Sequence, residues 1–210
     1  MDIRPYIKSE ALGYWYLRLN GFLTIQDFVV HPERGYGQET DVDIIGVRFP
    51  YRAENLDDPM EDDKRISYEG KPLIVIAEVK NGRCSLNGPW TNPERRNMLR
   101  VLRSIGALTQ TEADIAARSL YSSGVYSTEL YHISLLCLGG YSNPEITEKY
   151  PLVPQILWDE VLRFIFSRFK KYERPKTSHP QWDVAGQFLW NTFMQNRRSE
   201  QQFLVHTHGR

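Results

Sequence analysis

Two carboxylates and one lysine stand where the sequence offers no simple structural reason for a charge. Glu78 and Lys80 lie two residues apart at the end of the apolar run LIVIAEV. Alternate residues of a strand project from the same face, so these two side chains are expected to point together. Asp43 lies in an earlier strand-like segment, TDVDIIGVRF. Burying such a charge alone is costly, and pairing it often only offsets that cost.

A divalent cation gives these residue types a common purpose. Mg²⁺ prefers oxygen ligands and usually takes one or two carboxylates together with water and phosphate oxygens. Carboxylates brought together from two neighbouring strands meet that requirement. A cation lowers the pKa of bound water and stabilises charge that develops on phosphorus. A lysine beside it can orient the attacking water or help to deprotonate it, so the pattern predicts attack on a phosphate ester.

The elements that must position these residues are those of an α/β chain with a mixed sheet. The segment 51–71, between the strand that carries Asp43 and the strand that carries Glu78, is predicted to be an acidic, solvent-exposed loop. The polar tail from Arg197 onward is predicted to fray. The last strand of the chain is expected at 130–138. Periodicity and turn residues predict helices at 5–20, 93–106, 111–122, 154–172 and 182–196, and strands at 22–30, 40–49, 73–79 and 130–138.

The letters DII at 43–45 and EVK at 78–80, the latter closing an apolar strand, resemble the D…ExK signature of the PD-(D/E)xK nuclease superfamily. Restriction endonucleases and archaeal Holliday-junction resolvases belong to this superfamily. Its core is a helix, a strand hairpin, the ExK strand, a helix and a further strand, which is the order predicted for 5–138. The motif is moderately specific in this context, because a bare ExK occurs by chance in many proteins.

The resemblance implies a restriction-endonuclease-like α/β core with a central mixed β-sheet flanked by helices. That core would occupy 1–140, with 51–71 as an acidic insertion loop. Residues 141–210 lie beyond the family core and are expected to form a helical extension packed on it. The implied activity is that of an endonuclease, a hydrolase that cleaves the phosphodiester bonds of nucleic acid, with DNA as the expected substrate.

The resemblance also implies a role for each residue of the motif. Asp43 and Glu78 would bind Mg²⁺, for which Mn²⁺ can substitute, with help from the backbone carbonyl of Val79. Lys80 would be catalytic. The family often adds a glutamate from its first helix, and Glu10 would then be an accessory ligand or hold a water molecule.

The sequence departs from the family pattern in two places. Position 42 holds valine where the name-giving motif has proline. The interval between Asp43 and Glu78 is longer than a tight hairpin needs, and the insertion at 51–71 accounts for it. Asp41 competes with Asp43 for the metal role, although the two apolar residues that follow Asp43 favour the latter.

Each of these residues also has a purely structural interpretation. Glu78 and Lys80 can form a surface ion pair, Asp43 can be a charge that protects a strand edge, and Glu10 can be a solvated helix position. The whole chain can likewise be an inactive scaffold on the nuclease fold that binds nucleic acid or protein, or an unrelated α/β domain. The discriminating observation is whether the carboxylates of Asp43 and Glu78 converge, with Lys80 beside them.

Basic residues follow the ExK strand and are candidates for phosphate contact. Arg96, Arg100 and Arg103 have spacings that place them on one helix face, and Arg83 precedes that helix. The structural alternative is an ordinary solvated face. Trp90 can stack on a base, but its more common role is in a hydrophobic core.

Composition limits the remaining possibilities. The 210 residues include 26 basic and 26 acidic ones, which argues against a bulk polyelectrolyte binder but not against one basic face. Cys84 and Cys137 are predicted to be free thiols in a reducing cytoplasm, and no apolar run approaches the ~20 residues of a membrane span. Scattered histidines argue against zinc. The aromatic helices at 154–172 and 182–196 are predicted mainly as core, with a homodimer or partner-protein interface as the alternative.

Overall fold

The computed structural model describes residues 7–34, 36–68 and 70–208. Its helices are α1 (Ser9–Leu19), α2 (Gly88–Thr91), α3 (Asn97–Ile105), α4 (Gln110–Ser123), α5 (Pro144–Lys149), α6 (Trp158–Lys171), α7 (Glu173–Lys176), α8 (Val184–Asn196) and α9 (Glu200–His208). Its strands are β1 (Leu23–Val30), β2 (Thr40–Arg48), β3 (Leu73–Val79), β4 (Val125–Ser127), β5 (His132–Gly139) and β6 (Gln155–Leu157). Single 3₁₀ turns lie at Lys64–Ile66 and Pro93–Arg95.

The apolar strand β3 lies inside the sheet and is buried along its whole length. The six strands of the described chain form an open mixed sheet in the order β1-β2-β3-β5-β4, and β6 also pairs with β5. β1 and β2 form an antiparallel hairpin, β2 is antiparallel to β3, and β3 is parallel to β5. A continuous apolar strand is expected at such a central position, because both of its faces are covered by helices.

Helices cover both faces of the sheet, so the chain has an α/β architecture. On one face α1, α6, α8 and α9 share a hydrophobic cluster with sheet residues such as Val75 and Leu136. On the other face α3 and α4 pack over residues such as Ile76 and Leu135. Three of the helices that follow residue 140, α6, α8 and α9, therefore share one core with the first helix of the chain. In the described part of the chain, no helix is long and apolar enough to cross a bilayer.

Most long elements confirm the predictions from patterning. β1, β2 and β3 lie within the predicted strands, and α4 and α8 agree with their predicted helices to within two residues. The first helix begins at Ser9 rather than at position 5, and residues 5 and 6 lie outside the described residues. Cys84 and Cys137 are both free, as expected, and both are buried. The aromatic side chains of α6 and α8 are largely core.

Several shorter features contradict the predictions. The predicted helix at 93–106 is broken at Arg96, which has a left-handed backbone (φ 56°) and separates a 3₁₀ turn from α3. The strand at 130–138 is not the last strand, because β6 follows it, and 154–157 is extended rather than helical. β4 and β6 each contain three residues. Strands this short show too few alternations for periodicity to reveal them.

The segment 51–71 is only partly the solvated loop that its acidic residues predict, because Asp57, Asp58 and Glu61 are exposed whereas Asp62 and Asp63 are folded inward. Asp62 is almost completely buried and forms ion pairs with Arg48 at 2.6 Å and Arg52 at 2.7 Å. It also pairs with the fully buried Arg168 of α6 at 2.6 Å. Asp62 is folded inward because basic side chains from distant elements neutralise it, which a local charge pattern does not reveal.

The predicted frayed tail is also wrong, because Glu200–His208 forms a packed helix. Phe203 of α9 is fully buried and its ring lies 5.5 Å from that of Phe166 in α6. Leu204 is buried beside it. Polar residues outnumber these anchors in the sequence, which explains why composition alone suggested a solvated tail.

Replacing Phe203 with alanine is therefore expected to lower the free energy of unfolding by about 3–5 kcal/mol, the usual result of removing a buried aromatic ring. Urea denaturation of the purified chain would measure the change. The exposed neighbour Gln202 provides the matched control, and Gln202→Ala should change stability by no more than about 0.5 kcal/mol. Equal stability of the two variants would mean that α9 is not docked in solution.

Candidate functional site

Asp43 lies where strand β2 changes the face that its side chains present. Val42 and Ile45 belong to the same hydrophobic cluster although they are three residues apart, whereas Ile44 belongs to the opposite one. Regular alternation would place Val42 with Ile44. The facing strand β1 has a left-handed residue, Asp27 (φ 50°), at the same level. As a result, Asp43 turns towards the end of β3.

The carboxylate of Asp43 closes the end of the β2–β3 pairing. Ile44 pairs with Ala77, which leaves Asp43 next to the final residues of β3. The Oδ2 atom of Asp43 accepts a hydrogen bond from the backbone N–H of Val79 at 2.6 Å. No hydrogen bond from a described residue reaches the other oxygen of Asp43. This oxygen therefore has no donor among the described residues and can accept a ligand.

Glu78 is a buried carboxylate held by three donors. Its side chain is on the face covered by α3 and α4, and the residue is only 3% exposed. The indole Nε1 of Trp90 donates to Oε2 at 2.7 Å. The Lys80 ammonium donates to Oε1 at 2.6 Å, and the Asn87 amide donates to the same oxygen. Both lone pairs of Oε1 are therefore occupied, and a cation can reach it only if one donor leaves.

Burial governs the proton affinity of both carboxylates. Burial raises the pKa of Glu78 to about 6, against the lowering influence of the Lys80 ammonium, and the charge of Asp43 raises it further. Burial also raises the pKa of Asp43, while the Val79 N–H and Lys80 oppose that shift. Lys80 lowers the pKa of both carboxylates and the charge of Asp43 raises that of Glu78, so the two carboxylates share one electrostatic environment.

Lys80 is fixed at its backbone and exposed only at its tip. Its N–H donates to the carbonyl of Leu138 in β5 at 2.9 Å. Its own carbonyl accepts from the indole Nε1 of Trp158, the first residue of α6, at 3.1 Å. The side chain is 26% exposed. The ammonium can thus exchange its contact with Glu78 for a ligand while the backbone stays in place.

Glu10 and Asp41 lie at the periphery of this group. Glu10 is exposed in the first turn of α1, and Asp41 is exposed in β2. Their negative charges both raise the pKa of Asp43, and Asp41 has the larger effect. The structure therefore brings Asp43, Glu78 and Lys80 together and leaves Glu10 and Asp41 as outer charges near Asp43.

The donor set suits a cation that keeps much of its hydration. Among residues 7–34, 36–68 and 70–208, no group of three or more His, Cys, Asp or Glu side chains is arranged to hold a metal ion. Mg²⁺ needs only one or two carboxylates, since waters and phosphate oxygens complete its octahedron. Asp43 and Glu78, with the adjacent Val79 carbonyl, are a set of that size and chemistry.

The predicted basic residues differ in how freely they can contact a ligand. Arg83, Arg96 and Arg103 are exposed. Arg100 is half-buried, pairs with Glu33 at 2.7 Å and donates to two further oxygens nearby. Arg83, Arg96 and Arg103 therefore present open guanidinium groups, whereas Arg100 contributes to the fold.

Asn87 and Trp90 are parts of the site that sequence reasoning did not assign to it. Trp90 is buried, as its more common role predicts, and not available for base stacking. A signal for its contact was present, because the N–H of a buried tryptophan usually finds a hydrogen-bond acceptor. The sequence did not indicate that the acceptor is Glu78, twelve residues earlier.

The raised pKa of Glu78 leads to a prediction about stability. The folded protein binds this proton at a pKa of about 6, above the ordinary value of 4.5. Folding therefore favours the protonated form, and this contribution is lost as pH rises from the ordinary value through 6. The loss should be about 2 kcal/mol, relative to a Glu78→Gln variant that has no proton to release.

Urea denaturation of the metal-free wild type and of Glu78→Gln, from about pH 4 to about pH 7, would measure this difference. The wild type should lose stability relative to the variant as pH rises. A difference that stays constant, or that changes in the opposite direction, would show that Glu78 is not desolvated in solution.

The end of β3 thus combines an ammonium with two carboxylates from neighbouring strands. Such a group can hold a hard cation and position a water molecule next to it. Comparison with known proteins provides no relative from which a role could be transferred: no protein-family model, curated protein or solved structure shows significant similarity to this chain.

Proposed function

We propose that the chain is a metal-dependent nuclease that hydrolyses phosphodiester bonds of nucleic acid, with DNA as the expected substrate. One observation carries the proposal. Asp43 from β2 and Glu78 from β3 lie together at the strand end, and the Lys80 ammonium is 2.6 Å from the Glu78 carboxylate. These are the residues that the D…ExK resemblance assigns to catalysis.

The fold supports the same proposal. The helix α1 precedes an antiparallel hairpin, then the strand that carries Glu78 and Lys80, then α3 and α4, then the parallel strand β5. This is the order of the PD-(D/E)xK core, and a restriction-endonuclease-like fold is part of what we propose. Fold alone does not define chemistry, so the site residues carry most of the weight.

Each residue of the site would have a separate role in the reaction. Asp43 and Glu78, with the carbonyl of Val79, would hold Mg²⁺ or Mn²⁺. When bound, the cation supplies a water of lowered pKa and stabilises charge on the phosphoryl oxygens. Lys80 releases Glu78 and orients the attacking water, while Glu10 can hold a water molecule at the edge of the site.

The hydrogen bonds to the Glu78 carboxylate determine which of its oxygens would bind the cation. Trp90 keeps its hydrogen bond to Oε2 and so leaves Oε1 as the oxygen that changes partners. Asn87 and Lys80 are the groups that must yield this oxygen. Hydrogen bonds to ligating carboxylates typically change metal affinity or activity by about 10- to 100-fold when they are removed.

A cleavage assay with a matched pair of variants tests the proposal. Plasmid DNA, single-stranded DNA and RNA would be incubated with the wild type, Asp43→Asn or Asp41→Asn in Mg²⁺, Mn²⁺ or EDTA. The wild type should cut in either metal and stop in EDTA. Asp43→Asn should lose activity, because Asp43 is a proposed ligand, whereas the exposed Asp41 should be replaceable.

A second candidate is an inactive scaffold on the same fold, and the full occupancy of Glu78 Oε1 favours it. Lys80 and Asn87 neutralise that oxygen without any cation. Calorimetric titration with Mg²⁺ and Mn²⁺ separates the two candidates. Folded protein that binds neither metal and cuts none of the substrates would be a scaffold, and the nuclease proposal would then be wrong.

A further inference from the structure

An exposed aromatic ring lies beside the strand end that carries Lys80. Tyr141 follows the two glycines that end β5, and it is 53% exposed. The guanidinium carbon of Arg83 lies over this ring at 5.8 Å from its centre. Arg83 is itself exposed and follows Lys80 by three residues. An aromatic face and an open cation therefore form one surface next to the site.

Main-chain hydrogen bonds fix this surface relative to Lys80. Arg83 and Tyr141 form an isolated parallel bridge, and the Tyr141 carbonyl accepts from the N–H of Cys84 at 2.9 Å. The carbonyl of Gly82 accepts from the N–H of Gly140 at 2.6 Å. Three residues of extended chain span at most about 11 Å, so the backbone of Arg83 lies within that distance of the backbone of Lys80.

The segment after β3 and the segment after β5 approach each other so closely that position 139 has room only for glycine. A side chain at Gly139 would place its Cβ atom 2.8 Å from the Cys84 sulfur and 3.0 Å from the Gly82 carbonyl oxygen. Both contacts are shorter than ordinary packing allows. The segment after β5 therefore lies directly against the segment after β3, and the position of Tyr141 is set by the backbone.

The chemistry of this surface fits an unpaired base and its phosphate. Bases stack on exposed aromatic rings, and an arginine beside the ring adds a cation–π contact and a phosphate partner. In a duplex each base face is covered by its neighbours, so a base must be unpaired before a side chain can stack on it. We propose that Arg83 and Tyr141 form a base-stacking platform, and that the chain binds single-stranded nucleic acid beside Lys80. This inference rests on the proposed function.

Binding by the full chain in EDTA tests the platform without cleavage. Fluorescence anisotropy would use labelled oligodeoxyuridylate, oligouridylate of the same length and a blunt DNA duplex. Tyr141→Ala should weaken single-strand binding by about 5- to 150-fold, the usual range for losing one stacked base. Tyr141→Phe should bind like the wild type, because it keeps the ring. Tyr51→Ala, at an exposed tyrosine remote from Arg83, is the matched control.

The outcomes separate the platform from its alternatives. A loss on both oligonucleotides assigns the platform to single strands in general, and a loss on one assigns it to the corresponding sugar. Unchanged affinity in Tyr141→Ala would overturn the platform, as would an equal loss on the duplex. Arg83→Gln should lower single-strand affinity as well, which gives an independent variant in case Tyr141→Ala does not fold.

Binding and cleavage also distinguish this inference from the proposed function. Single-strand binding that depends on Tyr141, with no cleavage in any metal, would leave the platform standing and refute the nuclease. Metal-dependent cleavage of single strands at an undiminished rate in Tyr141→Ala, measured below saturation, would support the nuclease and refute the platform.

Discussion

Replacement of Lys80 with methionine should slow cleavage of nucleic acid by about 10²- to 10⁴-fold, the range for losing a group that moves or positions a proton. The ammonium of Lys80 is the cation on Glu78 Oε1, and it is exposed enough to reach a bound phosphate. Methionine preserves most of the stem and removes the charge. Because the Lys80 backbone is held by Leu138 and Trp158, the strand end should keep its shape.

Lys71→Met is the matched control for this prediction. Lys71 lies just before β3, at the opposite end of the strand, and its ammonium donates to the Thr128 carbonyl at 2.7 Å. The Lys71→Met variant should cleave nucleic acid as fast as the wild type. Single-turnover rates at saturating Mn²⁺ would separate a loss of chemistry from weaker metal binding. A Lys80→Met protein that cleaves as fast as Lys71→Met would remove Lys80 from the mechanism.

The sequence predicted those parts of the fold and site that depend on the geometry of a single strand. The apolar run that ends at Glu78 predicted a strand covered on both faces, and β3 is such a strand. The spacing of two residues predicted that Glu78 and Lys80 point together, and their side chains are in contact. Strand alternation is imposed by backbone geometry, so it holds wherever a strand is regular, as β3 is.

The parts of the site that the sequence did not predict depend on contacts between segments that share no sequence pattern. Asn87 and Trp90 lie in a short loop and helix after β3, and only the folded chain brings them onto Glu78. The inversion of β2 at Asp43 likewise lies opposite a left-handed residue, Asp27, in the partner strand. Strict alternation would have placed Val42 and Ile44 on one face, so periodicity could not predict the direction of Asp43.

The acidic segment 51–71 shows the same limit for charge patterns. Its carboxylates look solvated when only neighbours in sequence are considered. Arg168 lies 106 residues after Asp62, yet the two form a buried ion pair at 2.6 Å. Whether a charge run is exposed depends on distant partners of opposite sign. Those partners also explain why Asp62 is folded inward.

Replacement of Arg168 with alanine should lower the free energy of unfolding by about 3–5 kcal/mol, a large share of the 5–15 kcal/mol typical of a domain. Arg168 is 0% exposed and joins Asp62 at 2.6 Å and Glu54 at 3.0 Å. It also donates to two backbone carbonyls of the acidic segment. Its loss leaves these buried acceptors short of a donor and opens a cavity beside α6.

The effect should extend to the candidate site, because α6 also supplies Trp158, whose indole holds the Lys80 carbonyl. Loosened docking of α6 should therefore increase hydrogen exchange at the end of β3 as well as in 51–71. A purely local defect at Arg168 would leave exchange at β3 unchanged. Hydrogen-exchange mass spectrometry of the folded variant distinguishes these results.

Arg163→Ala is the matched control, since Arg163 lies in the same helix and also forms an ion pair, with Glu200, but is 53% exposed. Exposed pairs contribute about 0–1 kcal/mol, so this variant should stay close to the wild type. The double variant Arg168→Ala/Asp62→Ala completes the comparison. Because the two side chains touch, their effects should not add, and the double variant should be less destabilised than the sum of the single ones. Additive effects would mean that the buried network does not join α6 to the acidic segment in solution.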